Sequence, residues 1–286
     1  MKKLIHHFRL RGSLEIMLLL LLALAFKPAL ADTYAKGEAY YQSKQYKKAV
    51  PLIRESAQKG NSDAQFRFGS MYDKGQGVKQ DATSAFEWFL KSAKQGNAKA
   101  QLNVGIMYRK GEGIGQSDTK AAEWFRKSAD QGHARAQYGM AQLYYDGIGI
   151  RKDHAEAFRW AEKSAQQGDI LAQLFVGLLY QKGEGVRQNA VKAMDWYRKA
   201  AEQGQPEAQV MLAACYLAGE GVFRDDAQAL KWYRKAFENG IKEVGFELGY
   251  MYEEGRGVEK DQQKALEMYR IASKAGRKAA IEKLKR

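Results

Sequence analysis

The chain of 286 residues contains one cysteine, Cys215, and four histidines. A lone cysteine cannot form an internal disulfide, so stability must come from packing, which a chain of this length can supply. His6 and His7 precede an apolar run. His133 and His154 fall at unrelated places further on and match no metal-ligand spacing. No nucleophile–histidine–acid set and no paired catalytic carboxylates stand out, so no enzymatic activity, cofactor or metal is expected. Long apolar runs are also scarce. The one present, Ile16 to Phe26, has eleven residues, too few to span a bilayer as a stable helix.

What surrounds that run gives it a different meaning. Lys2, Lys3, Arg9 and Arg11 lead into it, and Pro28-Ala29-Leu30-Ala31 follows, with Ala29 and Ala31 in the small-residue spacing that signal peptidases cut. Residues 1–31 read as a cleavable signal peptide, cut near Ala31/Asp32; an uncleaved anchor is the alternative. Position 32 is not cysteine, which excludes lipid attachment there. Removal of the segment lowers the net charge from +14 to about +10. The expected product is exported and strongly basic.

Glycine, by contrast, is abundant and ordered. Gly60, Gly96, Gly132, Gly168, Gly204, Gly240 and Gly276 recur every 36 residues without a slip. A second ladder runs Gly75, Gly111, Gly147, Gly183, Gly219, Gly255, and a third lies two residues later. All five tryptophans share one slot (Trp88, Trp124, Trp160, Trp196, Trp232), with Met268 in the sixth copy. Tyr72, Tyr108, Tyr144, Tyr180, Tyr216 and Tyr252 fill another. Such self-similarity identifies a repeat architecture.

Numbered from Asn61 as position 1, positions 4, 8, 11 and 12 hold Ala64, Phe68, Met71 and Tyr72, one stripe of a helix. Positions 25, 28, 29 and 33 hold Ala85, Trp88, Phe89 and Ala93, a second stripe. Gly75-Gln76-Gly77-Val78 between them permits the positive φ angles that end a helix and reverse the chain. Position 21 (Asp81, Ser117, Asp153, Asn189, Asp225, Asp261) offers an N-cap to the second helix. A pair of helices this short cannot bury its own stripe, so neighbours must stack. The expected fold is all-α, a right-handed α-α solenoid of stacked antiparallel helix pairs, with Trp at position 28 filling the space between units. Its parts are an atypical helix pair over 32–60, six repeats over 61–276 (61–96, 97–132, 133–168, 169–204, 205–240, 241–276) and a basic half-repeat cap over 277–286. Pro51 should make the second helix of the leading pair irregular. Ala280 and Leu284 should repeat the start of a first helix.

The pattern of Ala at 4, Leu-Gly at 8–9, Tyr at 12, Gly-x-Gly-Val at 15–18, Ala at 25, Trp-Tyr at 28–29 and a final Gly resembles the Sel-one-like repeat, a branch of the tetratricopeptide superfamily. The likeness covers residues 61–276. Ala141 and Ala213 depart from it in place of the helix glycine, and Val244 in place of the position-4 alanine. The resemblance implies a protein-binding scaffold of the bacterial cell envelope, periplasmic or secreted. Two alternatives stay open: an enzyme acting on cell-wall or β-lactam substrates, and a secreted factor that meets a host. The branch of the family linked to such substrates carries a cysteine pair per repeat, which this chain lacks.

Three motifs carry little. Gly111-Glu112-Gly113-Ile114-Gly115 has the look of a nucleotide loop, but a helix precedes it and the pattern recurs in every copy, so turn formation explains it. Cys215 sits where other copies hold Met or Leu, as an apolar filler. Arg126-Lys127, Arg198-Lys199 and Arg234-Lys235 line successive second helices, with Glu123 and Asp195 placed to pair with Lys127 and Lys199. They read as a solvated face, or else as a ridge for an acidic surface polymer or anionic lipid. Nucleic acid is not expected for an exported chain.

Position 6 lies opposite the buried stripe of the first helix, yet is apolar throughout: Phe66, Leu102, Tyr138, Leu174, Val210, Phe246. That regularity implies contact with the neighbouring first helix. In the middle copies the same face gains apolar residues that break the repeat, namely Ile106, Tyr145, Leu171, Leu178 and Leu217, with Arg109 and Lys182 beside them. In tetratricopeptide-like solenoids this face lines the concave groove. Ile106, Arg109, Tyr138, Tyr145, Leu171, Leu174, Leu178, Lys182, Val210 and Leu217 are therefore the candidate partner-binding residues.

Overall fold

The second helix of every repeat begins at a side-chain cap, and the first helix of every repeat ends at a left-handed glycine. A computed structural model describes residues 33–285; the signal-peptide reading of residues 1–31 lies outside the described residues. The leading pair is α1 (33–42) and α2 (Tyr46–Gln58). The repeats contribute α3 (Ser62–Lys74), α4 (Ala82–Lys94), α5 (Ala98–Lys110), α6 (Asp118–Asp130), α7 (Ala134–Asp146) and α8 (His154–Gln166). They continue with α9 (Ile170–Lys182), α10 (Ala190–Glu202), α11 (Pro206–Ala218), α12 (Asp226–Glu238), α13 (Gly245–Glu254) and α14 (Gln262–Lys274), and α15 (Lys278–Lys283) follows. No strand occurs among the described residues. The fold is an all-α solenoid of antiparallel helix pairs.

Every expected cap at position 21 is in place. Asp81, Ser117, Asp153, Asn189, Asp225 and Asp261 each accept a backbone N–H of the first turn they precede. First helices have caps of their own: the side chains of Asn61, Asn97 and Asp169 accept from Ala64, Ala100 and Ala172 at 2.8, 3.0 and 2.9 Å. At the other end, the first loop glycine takes the left-handed conformation, as in Gly75 with φ 66°. The second loop glycine is needed for a different reason. A Cβ on Gly77 would lie 2.8 Å from the Tyr46 carbonyl oxygen, at the start of the preceding unit's second helix. Gly113, Gly185, Gly221 and Gly257 are likewise placed against the backbone of Ala82, His154, Ala190 and Asp226 in the preceding repeat.

The chain divides after Gln131 into two compact units. Unit 1 holds α1 to α6, and its core stacks Ala49, Ile53, Ala57, Ala64, Phe68 and Met71, then Ala85, Phe86, Phe89, Ala93, Ala100, Val104 and Met107. Trp88 packs against the first cluster and Trp124 against the second, so this slot does fill the space between units. Unit 2 holds α7 to α15. Its largest fully buried side chains include Met140, Leu143, Leu179, Met194, Tyr197, Leu212, Leu248 and Met251.

Two further ladders hold the stack together. Glutamine at position 5 is buried. Gln65, Gln101, Gln173 and Gln209 donate to the carbonyls of Ala57, Ala93, Ala165 and Ala201 in the preceding helix, at 3.1–3.3 Å. Each also accepts from position 35 of its own unit, from Gln95, Gln131, Gln203 and Asn239 at 2.7–3.0 Å. One amide thereby ties three consecutive helices, with its donor and acceptor both satisfied. The second ladder pairs the helix glycine at position 9 with the aromatic ring at position 29. A Cβ on Gly69, Gly105, Gly177 or Gly249 would lie within 2.8 Å of Phe89, Phe125, Tyr197 or Tyr269. In the third copy Ala141 takes the glycine slot, and the ring opposite shrinks to Ala161.

Three local expectations need correction. The α2 helix runs unbroken through Pro51, because one missing donor in a thirteen-residue helix is offset by the packing of Ala49, Ile53 and Ala57. In α15, Ala280 is buried, but the helix stops at Lys283 and Leu284 stays 36% exposed. The sixth copy lacks both partners of the glutamine ladder, with Gly245 at position 5 and Ala275 at position 35. Its first helix accordingly starts late, after a 3-10 turn over Lys242–Val244.

Candidate functional site

A first helix of a repeat normally shows polar residues to solvent. In α3 these include Asp63, Arg67, Asp73 and Lys74. Helices α9 and α11 do not follow that rule. Apart from Tyr180, α9 has polar side chains only at Gln173, Gln181 and Lys182; α11, apart from Tyr216, only at Glu207 and Gln209. Gln173 and Gln209 belong to the buried ladder. A helix apolar around its whole circumference is covered on all sides in a soluble protein. Here the inner residues Ala172, Val176, Leu179 and Leu212 are buried, while Leu171, Leu174, Leu178, Val210 and Leu217 on the other face are only partly covered.

On α7 the candidates Tyr138 and Tyr145 join this face through a residue that position-by-position reading passed over. Phe175 meets both rings edge to face, with centroids 6.0 Å from Tyr138 and 5.2 Å from Tyr145. Phe175 stands at position 7, which is polar or glycine in copies one, two, three and six (Arg67, Asn103, Gly139, Glu247); Met211 occupies the same slot in the next copy. Both break the repeat on the same face. The rule used to select Leu171 and Leu178 would have found them at position 7.

The position-6 slot divides by context. Tyr138 does reach the neighbouring first helix, through Phe175. Phe66 and Phe246, in the end copies, instead meet the second helix of their own unit at Phe89 and Tyr269, 5.7 and 5.6 Å between centroids. Phe66 packs as well against the core cluster that includes Ala100, Val104 and Met107 of the neighbouring first helix.

A polar rim borders the aromatic cluster. The Tyr145 hydroxyl donates to Glu184 at 2.7 Å, and the Lys182 ammonium lies 3.5 Å from the same hydroxyl and 4.0 Å from the carboxylate. That bond holds the Glu184 carboxyl below its ordinary range and raises the Tyr145 phenol. His154 stacks on Tyr145 at 4.8 Å and 16°, while Arg135 lies over the Tyr138 ring. Glu184 and His154 were not candidates from sequence, since the rim is formed by loops whose register only the fold reveals. Ile106 and Arg109 are half-buried residues of α5 in unit 1.

The basic ridge has a structural explanation. Lys91, Lys127, Lys163, Lys199 and Lys235 each lie over the tryptophan three residues earlier, 3.9–4.5 Å from the ring centroid. The pairings expected of Lys127 with Glu123 and Lys199 with Asp195 do not form; Asp195 faces Arg198 at 3.8 Å instead. The indole face is the nearer partner and holds the ammonium. Cys215 is buried, and burial pushes its thiol up to about 11, unlike an activated nucleophile. Among the described residues no group of three His, Cys, Asp or Glu side chains is placed to hold a metal, and no helix is long and apolar enough to cross a membrane.

The comparisons agree on the architecture. The family model described as Sel1 repeat matches residues 62–97, 98–133, 134–169, 170–205, 206–241 and 246–276. The sixth match begins after the irregular turn at Lys242–Val244. Among solved structures, the chain is similar to a protective antigen of uropathogenic Escherichia coli strains displaying an SLR fold. The identity is 33% and the TM-score 0.84, over 88% of this chain and 55% of the antigen, so the chain spans about half of that longer protein. It is also similar to a Sel1 repeat protein from Oxalobacter formigenes, at 37% identity and TM-score 0.75, over 84% of this chain and 96% of that one. No curated protein sequence matches the chain.

Proposed function

The chain belongs to the Sel1 repeat family, whose repeats generally serve as scaffolds for protein–protein interaction, and on that premise we propose that it docks a partner protein segment on the outer face of α9 and α11. The observation that carries this reading is the run of repeat-breaking apolar residues there: Leu171, Leu174, Phe175, Leu178, Met211 and Leu217. Ladder residues build the stack in every copy and cannot distinguish one partner from another. The residues that leave the ladder are free to do so. Aliphatic and aromatic side chains gathered on one partly covered face supply the desolvated centre of an interface.

The same proposal places the protein in the bacterial envelope, exported by the segment 1–31. The basic lead, apolar run and Ala29–Ala31 spacing support export. Expression with a C-terminal tag and N-terminal sequencing of the product tests it. The reading requires a chain starting near Asp32 in the periplasm or medium; a full-length chain in the cytoplasm contradicts it.

Capture from the envelope fraction tests the docking face. Wild-type chain should retain a partner that a Leu174→Ser, Leu178→Ser double variant loses. The alternative, a cell-wall or β-lactam hydrolase, is tested by turnover assays with β-lactams and wall fragments; the buried Cys215 argues only against a thiol nucleophile.

A further inference from the structure

Because every unit repeats the same slots, charge can be followed slot by slot along the first helices of unit 2. Position 3 holds Arg135, then Leu171, then Glu207 and Glu243. Position 14 holds Asp146, then Lys182, Ala218 and Glu254. Apart from Asp146, both series run from cation through apolar to anion, on the face that carries the apolar cluster.

Which of these charges are available follows from their partners. At the α13 end most of the cations are engaged, with Lys260 exposed. Arg256 forms a bidentate pair with Asp226 at 2.9 and 3.0 Å, Arg277 binds Glu247 at 2.7 Å and Lys283 binds Glu253 at 2.9 Å. Lys242 donates to the Phe237 carbonyl and covers that ring. Glu243 and Glu254 are exposed and form no ion pair among the described residues. At the α7–α9 end two of the acids are engaged, while Asp146 is exposed. Asp169 caps α9, and Glu184 accepts from Tyr145. Lys152 is exposed, and Arg135 and Lys182, about half exposed, make only long ion pairs, with Asp169 at 3.8 Å and Glu184 at 4.0 Å.

Resting on the docking reading above, we propose that the occupant is a protein segment of graded charge. Its acidic end lies toward Arg135, Lys152 and Lys182, its apolar middle on Leu174, Phe175 and Leu178, and its basic end toward Glu207, Glu243 and Glu254. Long-range complementarity of this kind sets orientation and rejects partners of uniform charge more than it adds affinity. A uniformly anionic lipid surface would be attracted at one end and repelled at the other, which favours a polypeptide occupant.

Three synthetic amphipathic peptides with identical apolar residues test the proposal: one acidic at one end and basic at the other, one wholly acidic and one wholly basic. By calorimetry at low salt the graded peptide should bind wild type about tenfold more tightly than either uniform one, equivalent to two or three exposed charge pairs. In a Glu243→Lys, Glu254→Lys variant the wholly acidic peptide should become the tightest ligand. The proposal is overturned if the graded peptide binds no better than the others, if none binds, or if the reversal leaves the order unchanged. It is overturned as well if phosphatidylglycerol vesicles or a second copy of the chain occupy the face, detected as binding or self-association lost in Leu178→Ser. The docking reading fails separately, if Leu174→Ser, Leu178→Ser leaves partner capture from the envelope fraction intact.

Discussion

Phe175 meets Tyr145 edge to face at 5.2 Å, and this contact joins two repeats on the face where the helices turn apolar. Tyr145 belongs to α7 and Phe175 to α9. The ring pair therefore sets the lateral register of two neighbouring first helices as well as presenting apolar surface. Phe175→Ala should lower stability by about 1–3 kcal/mol in urea unfolding, through the lost ring contacts and partial burial. Phe175→Leu should recover part of that loss. A neutral Phe175→Ala would mean that the three rings contribute only surface.

The glutamine ladder predicts a comparable effect from a smaller change. Gln173→Ala removes a buried amide that donates to the Ala165 carbonyl and accepts from Gln203, leaving that carbonyl only its backbone partner Gly168. Unfolding free energy should fall by about 1–3 kcal/mol. Gln203→Ala, at an exposed position, should cost less, because it leaves the Gln173 donor satisfied. Equal losses would show that the contacts to the preceding helix carry nothing.

Gly177→Ala should destabilise through overpacking, since the new Cβ would press on the Tyr197 ring. A loss of about 1–3 kcal/mol is expected in thermal or urea unfolding. The same change at Gly132, where nothing lies within 4 Å, can act only through its positive φ. A double variant Gly177→Ala, Tyr197→Ala should lose less than the sum of its parts, as the natural pairing of Ala141 with Ala161 suggests. Strict additivity would contradict this account of the position-9 glycine.

Acid should weaken the joint between the fifth and sixth repeats. Arg224 and Arg256 hold the Asp226 carboxyl well below the usual carboxylate range. The folded chain therefore binds that proton less readily than the unfolded chain, whose carboxyl titrates at about 3.9. Its stabilising contribution is present above that value and is lost as pH falls through the lower, folded one. Asp226→Asn should lower Tm at neutral pH and flatten the Tm profile below about pH 4. An unchanged acid limb would rule out this group as a contributor.

Much of this architecture is legible in the sequence because the constraints repeat. A glycine needed for a left-handed cap, a small polar residue needed at an N-cap and a tryptophan needed between units recur at fixed spacing, in six, six and five copies. Gln65 and its equivalents recur just as strictly. Their role stayed hidden because a polar residue at fixed spacing is equally expected on a solvated surface, and only the packing shows its two partners. The ridge lysines show the reverse case: Lys127 and Lys199 looked like partners for carboxylates four residues back, and the indole face proved nearer. The site is harder to read than the scaffold, since Phe175 and His154 each occur once in their slots. What brings them together is the register between a helix and its neighbour's loop.

The central claim, that the apolar face of α9 and α11 is a docking surface, is most directly tested by one measurement. Tagged wild type and the Leu174→Ser, Leu178→Ser variant are crosslinked in the native envelope fraction, and captured proteins are quantified beside circular dichroism of each purified chain. The account predicts loss of at least one captured protein from the variant with helicity unchanged, because both residues lie on the partly covered face and outside the buried ladders. Identical capture by two equally helical chains would contradict it.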